Sequence, residues 1–213
     1  MANALQMQAL QEQLTEIADQ IHSINYSVVR ILEGQQNDRI AQYYSGISLY
    51  AESQLVTDSD MKKALIAQSL KALSEATYEL TLAMQSDIKH LINRDNERGK
   101  GKRVEYIDKH MQSINQCFAF VHQAMLLRAG IYCNEGQLSA MITVLEEYSR
   151  FIETNVGKNL VLLAQCDTSD DGTDNGIWSS RNRFKLDVSN LANAIRSPQK
   201  TIYLGVATGG NNG

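Results

Sequence analysis

The chain has 213 residues, 43% of them apolar and 21% charged, and a formal net charge of -4. That balance excludes wholesale disorder and the strongly basic surface of a general nucleic-acid binder, so nucleic acid is not an expected partner. There is a single proline, Pro198, where a usage of roughly 5% would give about ten. Proline lacks the amide proton and clashes with the preceding turn, so its absence before position 198 permits long uninterrupted helices.

The three cysteines, Cys117, Cys133 and Cys166, form no CxxC pair and read as reduced, buried thiols of a cytoplasmic protein. The stretch MANALQMQALQEQL has no basic segment followed by an apolar one, so no secretory signal is expected. The most apolar window, Cys117 to Leu127, is broken by His122 and Gln123 and is too short to cross a bilayer.

In chain order, the first element is a heptad. Met7, Leu10, Leu14, Ile17, Ile21, Ile24, Val28 and Ile31 follow alternating steps of three and four without a miss, which lines one seam of a helix. With Met7 at position a, the d positions hold Leu10, Ile17, Ile24 and Ile31. Isoleucine there disfavours a parallel pair and leans toward three or four helices. The flanking e and g positions carry no charge, so the seam lacks an ionic pairing code. It either packs inside its own bundle or serves as an oligomerisation seam.

The polar run EGQQNDR, residues 33–39, interrupts the heptad. Apolar positions resume in a shifted register at Ile40, Tyr43, Tyr44, Ile47, Tyr50 and Leu55. The segment is read as a continuous helix with a stutter or as a helix kinked near Gly34. The tyrosines read as core or interface aromatics. A second helix is expected after Thr57, which can cap, with Asp60 as its capping-box partner and Val56 and Met61 as a staple. Its apolar face runs from Leu65 to Leu91.

RDNERGKGKR, residues 94–103, has no apolar residue and reads as a tip loop. A third helix is expected from about Val104, with Val104, Ile107, Met111, Ile114, Phe118, Val121 and Met125 on one face, up to the turn signal Asn134-Glu135-Gly136. A fourth carries Leu138 to Leu163. Short links between helices of this length force antiparallel neighbours. Past Cys166 the acidic, glycine-rich DTSDDGTDNG reads as a loop. Trp178 to Ile195 reads as one weak amphipathic helix, TIYLGVA as a short strand or extended tail, and GGNNG as an unstructured end.

Four constellations invite chemistry. Asp87 and His90 share a helix face at i, i+3, as in di-iron bundles, but such a site needs a second copy and further glutamates that the chain does not repeat. His110 and Cys117 sit on one side of the third helix, a conceivable nucleophile pair with no third group to orient it. Asp167, Ser169, Asp171 and Gly172 match the first half of a calcium-binding loop, but the twelfth position is Trp178 rather than glutamate. Arg94, Arg98, Lys100, Lys102 and Arg103 could touch an anionic surface, while the fixed spacing of a phosphate-binding loop is missing.

The expectation is an all-α fold, an elongated antiparallel bundle of four to five long helices. A coiled-coil-like N-terminal helix precedes it and a short irregular C-terminal segment follows it. The expected divisions are 1–34, 35–166 and 167–213. No catalytic, cofactor or metal site is assigned. The expected function is that of a non-enzymatic interaction or scaffold protein that self-associates, with an unidentified protein partner. The rival is a membrane-associated bundle similar in outline to helical pore formers.

Overall fold

The computed structural model describes residues 37–93 and 100–196, together with Gln8 and Glu12. Every regular element among the described residues is helical. They are α1 (Asn37–Ser53), α2 (Ser59–Ile92), α3 (Lys100–Asn134), α4 (Leu138–Asn155), α5 (Leu160–Cys166) and α6 (Ile177–Arg196), with a 3-10 turn at Gly157–Asn159 before α5. The heptad positions from Met7 to Ile31 and the segment TIYLGVA lie outside the described residues. Gln8 and Glu12 are exposed and helical, joined by a 3.0 Å side-chain hydrogen bond.

α2 and α3 set the scale. They have 34 and 35 residues, or ~50 Å each at 1.5 Å per residue. Their apolar stripes drive the packing. Leu73, Leu80, Met84, Ile88 and Leu91 of α2 meet Met111, Ile114, Phe118 and Val121 of α3, and all are buried. Burying a large apolar side chain gains about 1.5–3 kcal/mol, so such stripes, rather than intrinsic propensity, hold helices of this length. α1 packs antiparallel to α2. Gly46 lies so close that a Cβ would come within 2.6 Å of Leu73 Cγ, and Ser69 Oγ donates to the Gly46 carbonyl at 2.6 Å. α1 runs parallel to α3, with Tyr43 Oη donating to Gln123 at 2.8 Å and Asn134 donating to Tyr50 Oη at 2.9 Å.

Several boundaries differ from the sequence expectation. The cap of α2 is Asp58, whose Oδ1 accepts the Met61 amide at 2.8 Å; Thr57 does not take that role, and Met61 is largely exposed. Asp58 places a charged acceptor one residue nearer the orphan amides of the first turn. α3 begins at Lys100, not near Val104. It ends as expected, on Gly136 with φ of 68°. The Gly136 amide bonds to the Cys133 carbonyl and the Gln137 amide to the Tyr132 carbonyl, the paired C-terminal motif that needs a left-handed residue.

The expected fourth helix is two. Asn155 and Asn159 turn their side-chain amides onto backbone carbonyls at Phe151 and Asn155, competing with the helical ladder. The chain breaks at Gly157–Asn159, where a side chain on Gly157 would press on Asn182 of α6. α6 matches the helix expected from Trp178 to Ile195 to within one residue at each end. It is a 20-residue helix antiparallel to α4, tied by Ser149 to Ser189 and by ion pairs from Glu153 to Lys185 and Glu146 to Arg196. Trp178, Phe184, Val188, Leu191 and Ile195 join the common core. Leu186, on the same helix, is exposed.

Candidate functional site

The structure gathers polar side chains at two places. The first lies between α2 and α3. His110 Nδ1 bonds Asp87 Oδ1 at 2.7 Å, and Ser113 Oγ donates to Asp87 Oδ2 at 2.6 Å. The His90 ring stacks on His110 with centroids 4.6 Å apart, and its Nδ1 shares a 2.8 Å hydrogen bond with Tyr106 Oη. The sequence pairs Asp87 with His90 and His110 with Cys117. In the fold Asp87 takes His110 from the facing helix, and His90 takes Tyr106. An antiparallel helix pair juxtaposes residues that are distant in sequence, so the two motifs dissolve into one cross-helix cluster.

Ser113 donates to the Asp87 carboxylate rather than to an imidazole, so the cluster differs from the serine–histidine pairing of a hydrolytic triad. The Cys117 thiol is fully buried. Burial, with the Asp87 charge second, pushes it up to about 12, against smaller opposing effects of the Ser113 hydrogen bond and Arg39. A thiol held there stays protonated. Among the described residues, no group of three or more His, Cys, Asp or Glu could hold a metal ion.

The second place is sealed inside the bundle where α3, α4 and α6 meet. Arg181 of α6 is fully buried. Its guanidinium bonds Asn115 Oδ1 and lies against the rings of Trp178 and Phe118, 4.3 and 4.6 Å from their centroids. Asn115 Nδ2 donates to Asp167 Oδ2 at 3.0 Å, and Trp178 Nε1 donates to the same oxygen at 2.9 Å. Burial lowers Arg181 to about 10, while the nearby charge of Asp167 and the groups of Tyr148 and Asp170 oppose that. Beside this network the Tyr148 hydroxyl and His122 Nδ1 share a hydrogen bond. Burial, reinforced by the Arg181 charge, lowers His122 to about 3, and burial raises Tyr148 well above its ordinary value. Both are therefore neutral at pH 7.

The acidic loop, which matches only the first half of a calcium-binding loop, serves this network. Asp167 is buried and engaged as above, and its Oδ1 also accepts the Ser169 amide at 3.0 Å. Asp170 accepts the amides of Gly172 at 2.7 Å and Trp178 at 2.8 Å. Asp171 accepts the amide and hydroxyl of Thr173. The carboxylates close turns and cap the start of α6, which satisfies them without a cation.

Sequence reasoning missed Asn115, Arg181, His122 and Tyr148. The legible signal was a cation, Arg181, at i+3 between Trp178 and Phe184 on one helix face. Of the basic residues expected in the tip loop, Arg94 and Arg98 lie outside the described residues. Lys100, Lys102 and Arg103 belong to the first turn of α3 rather than to a loop, with Lys102 exposed and Arg103 half-buried. Tyr43 is buried, and burial with the neighbouring Tyr44 raises it to about 12; Tyr44 is exposed at its edge and packs on Phe120. No described helix is long and apolar enough to cross a membrane. The chain matches no protein-family model, no curated protein and no solved structure.

Proposed function

We propose that the protein is a helical scaffold that self-associates through the N-terminal heptad and presents its bundle to a protein partner in the cytoplasm. The observation that carries this reading is the uninterrupted, uncharged seam of Met7, Leu10, Leu14, Ile17, Ile21, Ile24, Val28 and Ile31. A seam of that length without charged flanks pairs by apolar burial rather than by an ionic code. The geometry of the bundle supports the reading in a second way. The sealed Arg181 network is bonded to other protein groups at the meeting of three helices, as befits a strut that fixes the packing of a platform. Cys117, Cys133 and Cys166 are buried and form no disulfide, which suits a reducing compartment.

The test is the solution mass of the full chain by light scattering, with and without the pair Leu14→Asp and Ile21→Asp. A mass of three or four chains that falls to one in the variant, with helix content in the bundle retained, is the expected result. An unchanged mass removes the seam from the reading. A full chain that is already a monomer removes self-association.

A further inference from the structure

α4 and α6 run side by side with small residues between them. Ser149 faces Ser189, their hydroxyls 3.1 Å apart, and the buried Leu145 and Ala192 complete an apolar floor. Charged side chains on either edge stand taller than this floor, so the two helices enclose a groove of about 580 Å³. A void of that size lies within the range of small-ligand sites, roughly 300–1,000 Å³. An ion pair bridges each end, Glu153 to Lys185 at one and Glu146 to Arg196 at the other. Counting from Glu146 to Glu153 along α4, the ends stand ~10 Å apart.

Between those ends lie donors that the fold does not use. Arg150 and Asn193 line the groove and are exposed. Among the described residues, neither has an ion pair or a side-chain hydrogen bond. Of two hydroxyls that share one hydrogen bond, the accepting one keeps its own proton to give. The bridging pairs cancel their own charges. Lys185 holds the Glu153 carboxyl below its ordinary value by a hydrogen bond and by its charge, so that carboxylate is already engaged. Arg150 is left as the uncompensated charge of the groove, a cation in a chain whose formal net charge is -4.

We propose that this groove binds a small organic monocarboxylate. The planar guanidinium of Arg150 matches a carboxylate with two parallel N–H donors. The Asn193 amide and the unused serine proton line the same groove and orient the ligand. Charge selects the ligand further. One carboxylate neutralises Arg150, whereas a second negative charge, as on a phosphate dianion, meets Glu146 and Glu153 at close quarters. Leu145 and Ala192 lie under the carbon skeleton. Because ion pairs close both ends, the groove suits a free molecule no longer than ~10 Å rather than a chain that runs on. This binding does not depend on self-association.

The test is methyl NMR on the full chain titrated with butyrate, with Leu145 and Ala192 as reporters. The expected result is a saturable shift of both, with an apparent Kd on the order of 1 mM. Butyramide, the same skeleton without the charge, gives none. Arg150→Gln weakens butyrate binding by about tenfold or more, as loss of a charge-assisted pair implies, and leaves the rest of the spectrum unchanged. Should that variant disturb the fold, Asn193→Ala reads the site from α6 and weakens it by about threefold or more. Equal shifts with butyramide mean a cleft that reads no charge. Tighter binding of inorganic phosphate means a different anion, and tighter binding of acetyl-triglycine means the terminus of a peptide. Each of those results overturns the proposal, as does the absence of any saturable shift.

Discussion

The α2/α3 cluster and the α3/α4/α6 network use the same kinds of side chain and differ in access to water. Asp87 and His110 keep 16% and 13% of their side chains exposed, and His90 is open. Water can replace any lost partner there. Arg181, His122 and Tyr148 are sealed to within 1%, so each polar atom depends on protein. A hydrogen-bonded pair that water still reaches loses little when one partner goes, whereas removing one partner of a sealed pair strands the other. The same chemistry is therefore adaptable in the first region and rigid in the second.

Three substitutions put that contrast at risk. Arg181→Met removes the buried cation and leaves Asp167 with an uncompensated charge in the core, so stability falls by about 3–5 kcal/mol. Chemical denaturation measures it; a loss near that of a surface change would mean that water reaches the network. Next comes pH. His122 titrates at about 3 in the folded chain and at about 6.5 when unfolded. The unfolded state therefore binds more protons between those values, and stability is full above the higher one and falls as pH drops toward the lower. By pH 5 the loss is about 2 kcal/mol. His122→Gln lacks this slope, and equal acid sensitivity of the two proteins would assign it elsewhere. The smallest effect is at Asp87→Asn, which weakens two hydrogen bonds at a site that water still reaches and costs about 1 kcal/mol. A loss as large as that at Arg181→Met would erase the distinction between the two regions.

Much of the architecture was legible because helical burial is periodic. The stripe from Met111 to Met125 and the turn at Gly136 appear in the sequence as they do in the fold. What escaped was pairing across helices. Asp87 with His110, and Arg181 with Asn115, are 23 and 66 residues apart, and spacing along one helix says nothing of its neighbour's register. The helix break at Gly157 escaped for the same reason, since the close approach of Asn182 lies on another helix. The role of the acidic loop also escaped, because carboxylates that cap turns and carboxylates that hold cations share the same spacing.

By itself the sequence determined the helices of the described residues, since a 3.6-residue apolar period with no proline before position 198 leaves few other ways to bury its side chains. It also set the uncharged heptad at the N-terminus. Only the tertiary structure decided which polar groups are sealed and which carboxylates are already satisfied. Those properties depend on the register between helices, and that register is fixed by packing contacts such as Gly46 on Leu73 rather than by any pattern within one segment.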